Sequence, residues 1–187
     1  MKKSLGPNTI VHPTPVFVVG SYDDAKRPNI MTAAWGGICC SDPPCVAVSL
    51  REARQTYRNI MRRGAFTISI PSARHVREAD YAGLHSGKDV DKFAALKLTP
   101  VPAEKVEAPY VGEFGFVLEC RVLHSFRLGA HTQFVGEILD VKVDEAVLDA
   151  EGRIDLAKLD PMAFSPDGCA YHRIGERVAQ AFSVGRE

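Results

Sequence analysis

The chain has 187 residues, 45% of them hydrophobic, and its 23 Lys and Arg are balanced by 23 Asp and Glu. That length suits a single domain spanning residues 1–187, with a core large enough to need no metal or disulfide staple. Zero net charge counts against nucleic acid as a partner, and with this hydrophobic content it also counts against disorder. Five cysteines are an odd number and read as reduced thiols instead of a disulfide framework. Met1-Lys2-Lys3 leads into Gly6, Pro7 and Pro13, not into an apolar run, and nothing approaches the roughly 18 apolar residues of a membrane span. A cytoplasmic protein without a membrane segment is the expectation.

The first expected element is a short apolar strand, Val16 to Val19, followed by a hairpin turn over Tyr22 to Pro28. Asn29 to Cys40 reads as one extended strand of unusually small residues. Gly and Ala fit strands poorly, and their presence signals that another backbone or a ligand comes close. Pro43-Pro44 stops it, and Cys45 to Leu50 alternates into the next strand. Arg54 to Gly64 changes to a helical period, with Tyr57, Ile60 and Met61 as the core stripe and Gly64 as the C-cap. Ala65 to Ile70 is a strand closed by Pro71. Residues 74–95 read as helix broken near Gly83–Gly87, and Leu98 to Gly112, with three prolines, as a surface loop. Phe114 to Leu128 and His131 to Val143 form a long hairpin around Gly129-Ala130. An acidic segment (144–160), a loop (161–168) and a short strand (169–174) complete the chain. Hairpin spacings argue for antiparallel pairing, hence a closed or partly closed β-barrel with peripheral helices.

Dinucleotide-fold, P-loop, zincin and α/β-hydrolase signatures are all missing. Cys39, Cys40 and Cys45 lack the spacing of a zinc site, and they read as small buried residues, with a redox-active pair as the minority alternative. The densest polar cluster is Ser49, Arg51, Arg54, Thr56 and Asn59, at a strand-to-helix junction. Hydroxyls and guanidinium groups beside unpaired helix N–H groups suit a phosphate, although an arginine stripe alone is more often a solvated face. Residues 51–64 hold five basic side chains and one acidic, while 144–160 hold six acidic and two basic. Lys88 and Lys92, four apart on a helical piece, could converge on the same anion, although each alone is more often an ordinary surface lysine. His131 opens a strand and Trp35 sits between small residues; a structural or exposed histidine and a core tryptophan are the plainer readings.

Taken together, Asn29-Ile30-Met31-Thr32-Ala33-Ala34-Trp35-Gly36-Gly37, Asp42-Pro43-Pro44, Ser49-Leu50-Arg51, Thr56-Tyr57-Arg58-Asn59-Ile60 and Gly64-Ala65-Phe66-Thr67-Ile68-Ser69-Ile70-Pro71 resemble the flavin reductase-like FMN-binding split-barrel family. Glu119-Cys120 and His131-x-x-Phe134-Val135-Gly136-Glu137-Ile138 match its later strands, and the tail through Tyr171-His172-Arg173 is most similar to the flavoredoxin branch. The resemblance covers roughly residues 13–175. It implies a mainly β (α+β) fold, an antiparallel FMN-binding split β-barrel with peripheral helices, in a homodimer. FMN would be the noncovalent cofactor, with NAD(P)H or a redox protein partner as electron donor and flavin or a protein or metal centre as acceptor. The alternative is a non-catalytic split-barrel protein that holds flavin or haem as a sensor or store.

Carried over residue by residue, the resemblance puts Asn29, Met31, Thr32, Ala33 and Trp35 near the ring or ribityl chain. Small residues at Ala33, Ala34 and Gly36 would let the backbone approach it. Ser49, Leu50 and Arg51 would line the strand end, Thr56 and Asn59 the phosphate side, with Lys88 and Lys92 as phosphate lysines. Ser69, Ile70 and Pro71 would sit on the adjacent strand, Ser72 would reach the ribityl chain, and His131, from either subunit, would lie at the flavin edge. No catalytic side chain and no metal ligand is implied.

Overall fold

A computed structural model describes residues 1–186 of the chain. In chain order these form β1 (Thr14–Pro15), β2 (Phe17–Tyr22), β3 (Pro28–Ala33), β4 (Gly36–Ser41), β5 (Pro44–Leu50), α1 (Gln55–Arg63), β6 (Ala65–Ser69), α2 (Val76–Leu84) and α3 (Lys92–Leu96). There follow β7 (Pro100–Pro102), β8 (Pro109–Val111), β9 (Phe116–Leu128), β10 (His131–Val143), α4 (Leu156–Leu159), β11 (Met162–Ser165) and β12 (Ala170–Arg173).

Seven strands make one antiparallel sheet in the order β3-β2-β6-β9-β10-β5-β4. Its two edge strands, β3 and β4, are consecutive in the chain and joined by Ala34-Trp35 alone. From Ala33 to Gly36 is three residue steps, about 11 Å at most, so the sheet has to curl until its edges nearly meet. The edges share no ladder of hydrogen bonds, which makes the barrel split. Phe17, Val19, Met31, Val46, Val48, Phe66, Ile68, Leu118 and Phe134 fill its interior, and α1 caps it with Ile60. A second cluster, built on Val16, Val18 and Ile30, packs α2 and α3 against the other face of β2 and β3 through Ala79, Ala82 and Phe93. Strands β2 and β3 are therefore apolar on both faces, as strands covered on both sides must be.

Local chemistry accounts for the joints. The β2–β3 turn is held by Asp23 Oδ1, which accepts from the backbone N–H groups of Ala25 and Arg27, both at 2.9 Å. Helix α1 ends at Gly64, which takes a left-handed φ of 64° and donates its N–H to Ile60 O at 2.8 Å.

Several expectations are corrected. Asn29 to Cys40 is not one strand: it breaks at Ala34-Trp35, where the chain leaves β2 as partner for β5. On α1 the buried residues are Thr56, Asn59 and Ile60, whereas Met61 is exposed, because the helix meets the sheet one residue earlier on its circumference than the apolar pattern suggests. The proline-rich segment 98–112 carries the β7–β8 ribbon, and 161–168 carries β11, which pairs with β1 and β12. Cys39 and Cys40 are exposed, since β4 is an edge strand; Cys45 is buried. Lys88 lies in the turn ahead of α3, not on a helix with Lys92. The break near Gly83–Gly87, the Gly64 cap and the Gly129-Ala130 hairpin are as the sequence suggests.

Candidate functional site

Where the barrel edges meet, the β3–β4 junction and the end of β5 leave a cleft of about 340 Å³. That is within the size range of small-molecule sites. One wall is Met31, Thr32, Ala33, Ala34 and Trp35; the other is Ser49, Leu50 and Arg51, with Arg54 and His131 at the rim. The walls are tied together by a hydrogen bond from Ser49 N–H to Trp35 O at 2.8 Å. Thr32 spends its hydroxyl on Ala79 O, and Ser49 Oγ accepts from Gln133 Nε2 at 3.4 Å. The side chains of the first wall are mostly small, so main chain is a large part of the surface a ligand would meet.

Gly36 turns out to serve packing instead of the cleft. A Cβ there would come within 2.6 Å of Ala47 O and 2.9 Å of the Phe17 ring. Its missing side chain lets β4 lie down on β5 and Phe17.

Beyond Met31 and Arg54, which line both, a narrow recess is bounded by Asn29, Gln55, Thr56, His85, Ser86, Gly87 and Lys92. It opens on the first turn of α1. Arg54 is the N-cap, makes no side-chain cap, and no acidic residue occupies the first turn. The free N–H groups and positive end of the helix dipole are thus left without an intramolecular acceptor from a capping side chain. Arg51 and Arg54 enter no ion pair among the described residues, whereas Arg62 and Arg63 at the other end pair with Asp24 (2.7 Å) and Glu107 (3.1 Å). Lys92 is 3% exposed, with no carboxylate partner; its ammonium donates to Ile30 O at 2.7 Å and Ala82 O at 2.8 Å. Burial first, and Arg54 second, push its pKa down to about 8. An ammonium has three protons, so one remains uncommitted. Asn29 donates from Nδ2 to Thr56 Oγ1 at 2.9 Å, but its buried Oδ1 has no partner. Cations and uncapped N–H donors suit an anionic group, and the orphaned acceptor suits a donor beside it, in a recess of only about 10 Å³.

Of the expected residues, Met31, Thr32, Ala33, Ala34, Trp35, Ser49, Leu50, Arg51 and His131 meet at the cleft, and Asn29, Thr56 and Lys92 at the recess. Six do not reach either within this chain. Asn59 faces β2, donating to Ser21 Oγ at 3.0 Å and accepting from Gln55 at 2.8 Å. Ser69 and Pro71 are buried elsewhere; Ile70 lines an apolar groove with Phe17 and Met162. Ser72 contacts His75 at 3.3 Å, and Lys88 is exposed. Arg54, part of the polar cluster in the sequence, joins the site at the boundary of cleft and recess. Gln55, His85, Ser86 and Gly87 were missed; the one signal was the helix break that contains the last three. An apolar recess of about 250 Å³ lies on the far side of β3, sharing Thr32 and Ala34 with the cleft and adding Leu84, Phe164 and Tyr171.

Comparison with known proteins gives a consistent result. Residues 10–170 match the sequence pattern described as the flavin reductase like domain. The solved structure of the flavoredoxin of Desulfovibrio vulgaris (Miyazaki F) is 59% identical over the whole of both chains, with a TM-score of 0.96. The flavoredoxin from Methanosarcina acetivorans is 28% identical with a TM-score of 0.93, covering 100% of this chain and 98% of its own. An uncharacterised protein of Archaeoglobus fulgidus is 35% identical over 130 residues, 70% of this chain and 73% of its own length.

Proposed function

This chain belongs to the flavin reductase-like family, and from that premise we propose that it is a redox protein holding FMN noncovalently in the cleft, with the phosphate in the recess. The observation that carries this reading is Lys92, a buried ammonium without a counterion beside Arg54 and an uncapped helix N-terminus. Such a cluster is costly without an anion and favourable with one. The residues present fit the group. Lys92, Arg54 and the first N–H groups of α1 would hold the phosphate, and the orphaned Asn29 Oδ1 would accept from a ribityl hydroxyl. The main chain of Met31–Trp35 and Ser49–Arg51 would orient the ring, and Trp35 and Leu50 would keep water from one edge of it.

When bound, the flavin supplies hydride and single-electron chemistry that no side chain here provides. The protein's part is to bind, orient and polarise. Electrons enter from NAD(P)H or a reduced protein partner and leave to flavin or to a protein or metal centre; a relative that is 59% identical is named a flavoredoxin, which supports electron transfer as the role. A homodimer completes the reading.

The visible absorption spectrum of the purified protein tests it first. Oxidised-flavin bands, or their appearance on titration with FMN but not with riboflavin at the same concentration, are expected. A colourless protein that takes up no FMN overturns the reading. Steady-state oxidation of NADH or NADPH with added FMN then selects the nucleotide donor; absence of turnover with both selects the protein partner.

A further inference from the structure

The cysteines take no part in the cleft, yet two of them face each other. In the β4–β5 hairpin Ser41 pairs with Pro44 around the turn Asp42-Pro43, and Cys40 pairs with Cys45 one step further along the ladder. Directly opposed residues of an antiparallel pair have Cα atoms about 4.5–5.5 Å apart and project to the same face. That separation falls inside the roughly 4.4–6.8 Å a disulfide spans. The register slips by one residue between Ile38 and Cys40, which leaves Cys39 with no cross-strand partner.

The two thiols differ in the way an exchange reaction requires. Cys40 is exposed on the edge strand, and its Sγ is held near the turn by a contact to Asp42 O at 3.3 Å. Cys45 is 3% exposed. Burial, then the neighbouring Cys40, Cys39 and Glu137, push its thiol up, so it is a poor first nucleophile for a reagent in solution. An entry thiol and a sheltered resolving thiol stand opposite each other.

We propose that Cys40 and Cys45 form a reversible cross-strand disulfide, with low-molecular-weight disulfides of the glutathione class as the oxidant. The Cys40 thiolate attacks one sulfur of the reagent, forming a protein–reagent mixed disulfide and expelling one thiolate, which takes up a proton. Cys45 loses its proton to solvent and attacks Cys40 Sγ, breaking the mixed disulfide and releasing the second thiol. The protein dithiol is oxidised by two electrons and one reagent disulfide becomes two thiols. The bond would close a loop with only four residues between its ends. Chain-entropy stabilisation grows with loop length and is least for so short a loop, so the pair is suited to exchange more than to stapling the fold. On this hairpin the pair lies beside the turn, whereas Trp35 and Ser49 to Arg51, which line the cleft, flank its open end.

The test is peptide mapping of the reduced protein after incubation with excess oxidised glutathione, with cleavage at Asp42 separating the two cysteines. A Cys40–Cys45-linked peptide that dithiothreitol reverses is expected, with loss of both free thiols. Cys39→Ser should give the same linked peptide. Cys45→Ser should stop at a stable glutathione adduct on Cys40. Because Cys45 is buried and its replacement can perturb folding, Cys40→Ser, at an exposed position, carries the test independently: Cys45 should then remain reduced. A Cys39–Cys40 linkage, an adduct that persists on Cys40 in the unmodified chain, or a Cys40 that stays free under these conditions would overturn the proposal.

Discussion

Lys92 sits in the fold with its ammonium among carbonyls and its pKa lowered to about 8 from the usual 10.5, chiefly by burial. Two consequences follow with definite sign. In the ligand-free protein the unfolded chain keeps its proton between pH 8 and 10.5 while the folded chain loses it, so the contribution of this group to stability rises across that window. Lys92→Met should abolish that rise, read as the difference in urea midpoint between the two proteins from about pH 7.5 to 10. Conversely, a bound phosphate raises the lysine pKa, so FMN affinity should be greatest below about pH 8 and fall as pH climbs through it. Titrations by flavin fluorescence at stepped pH check this, and the slope should vanish in Lys92→Met. Arg54 is exposed and free of ion pairs among the described residues, so Arg54→Ala should leave stability within a few tenths of a kcal/mol. It should weaken FMN binding by about 1.5–3 kcal/mol, roughly ten- to hundredfold, as a charge-assisted contact to phosphate is lost. Arg51→Ala is expected to act in the same direction. Unchanged affinity in both variants would remove the phosphate from this recess.

Among the elements, the β3–β4 junction shows how one local pattern can carry two causes. Small residues from Asn29 to Gly37 imply a close approach, and two approaches exist in different places. Ala33 and Ala34 line the cleft, whereas Gly36 lies under Ala47 O and the Phe17 ring. Gly36→Ala would push a methyl to 2.6 Å from a backbone carbonyl, which cannot swing aside as a side chain would. A loss of about 1–3 kcal/mol in stability is expected, measured by denaturant unfolding. A Gly36→Ala protein as stable as the parent but unable to bind FMN would return this glycine to the flavin. Nothing in the local pattern chooses between the two, because the identity of the approaching backbone depends on strand pairing between residues far apart in the chain. The same holds for Met61: the helical period is legible, but which side of the helix meets the barrel is fixed by the strands beneath it.

Across the whole molecule, the zero net charge resolves into local fields that differ in how far they are neutralised. Arg62 and Arg63 are paired with acids brought from the β2–β3 turn and the β7–β8 ribbon, whereas Arg51, Arg54 and Arg58 enter no ion pair among the described residues, so the uncompensated part of the arginine segment runs from Arg51 to Arg58. Beyond Arg121, β9 loses its pairing with β6 and runs on as an edge, with Phe126 and Leu128 on one face and 48% and 65% exposed. Two large apolar side chains at an open sheet edge are a liability unless covered, and a second copy of the chain is the cover that the proposed homodimer provides. The protein should sediment as a dimer, and Phe126→Glu should shift it toward monomer. Local sequence was enough to specify the kind of the longer elements, the helix cap, the hairpin turns and the motifs that led to the family, because each depends on residues within a turn or two of one another. Only the closed fold settled that the long strand divides at Ala34-Trp35, that Lys92 is buried without a carboxylate and that Asn59 points away from the recess. It also set Cys40 opposite Cys45. These depend on which distant strands become neighbours when a seven-stranded sheet curls until its edges meet, and no local pattern encodes that closure.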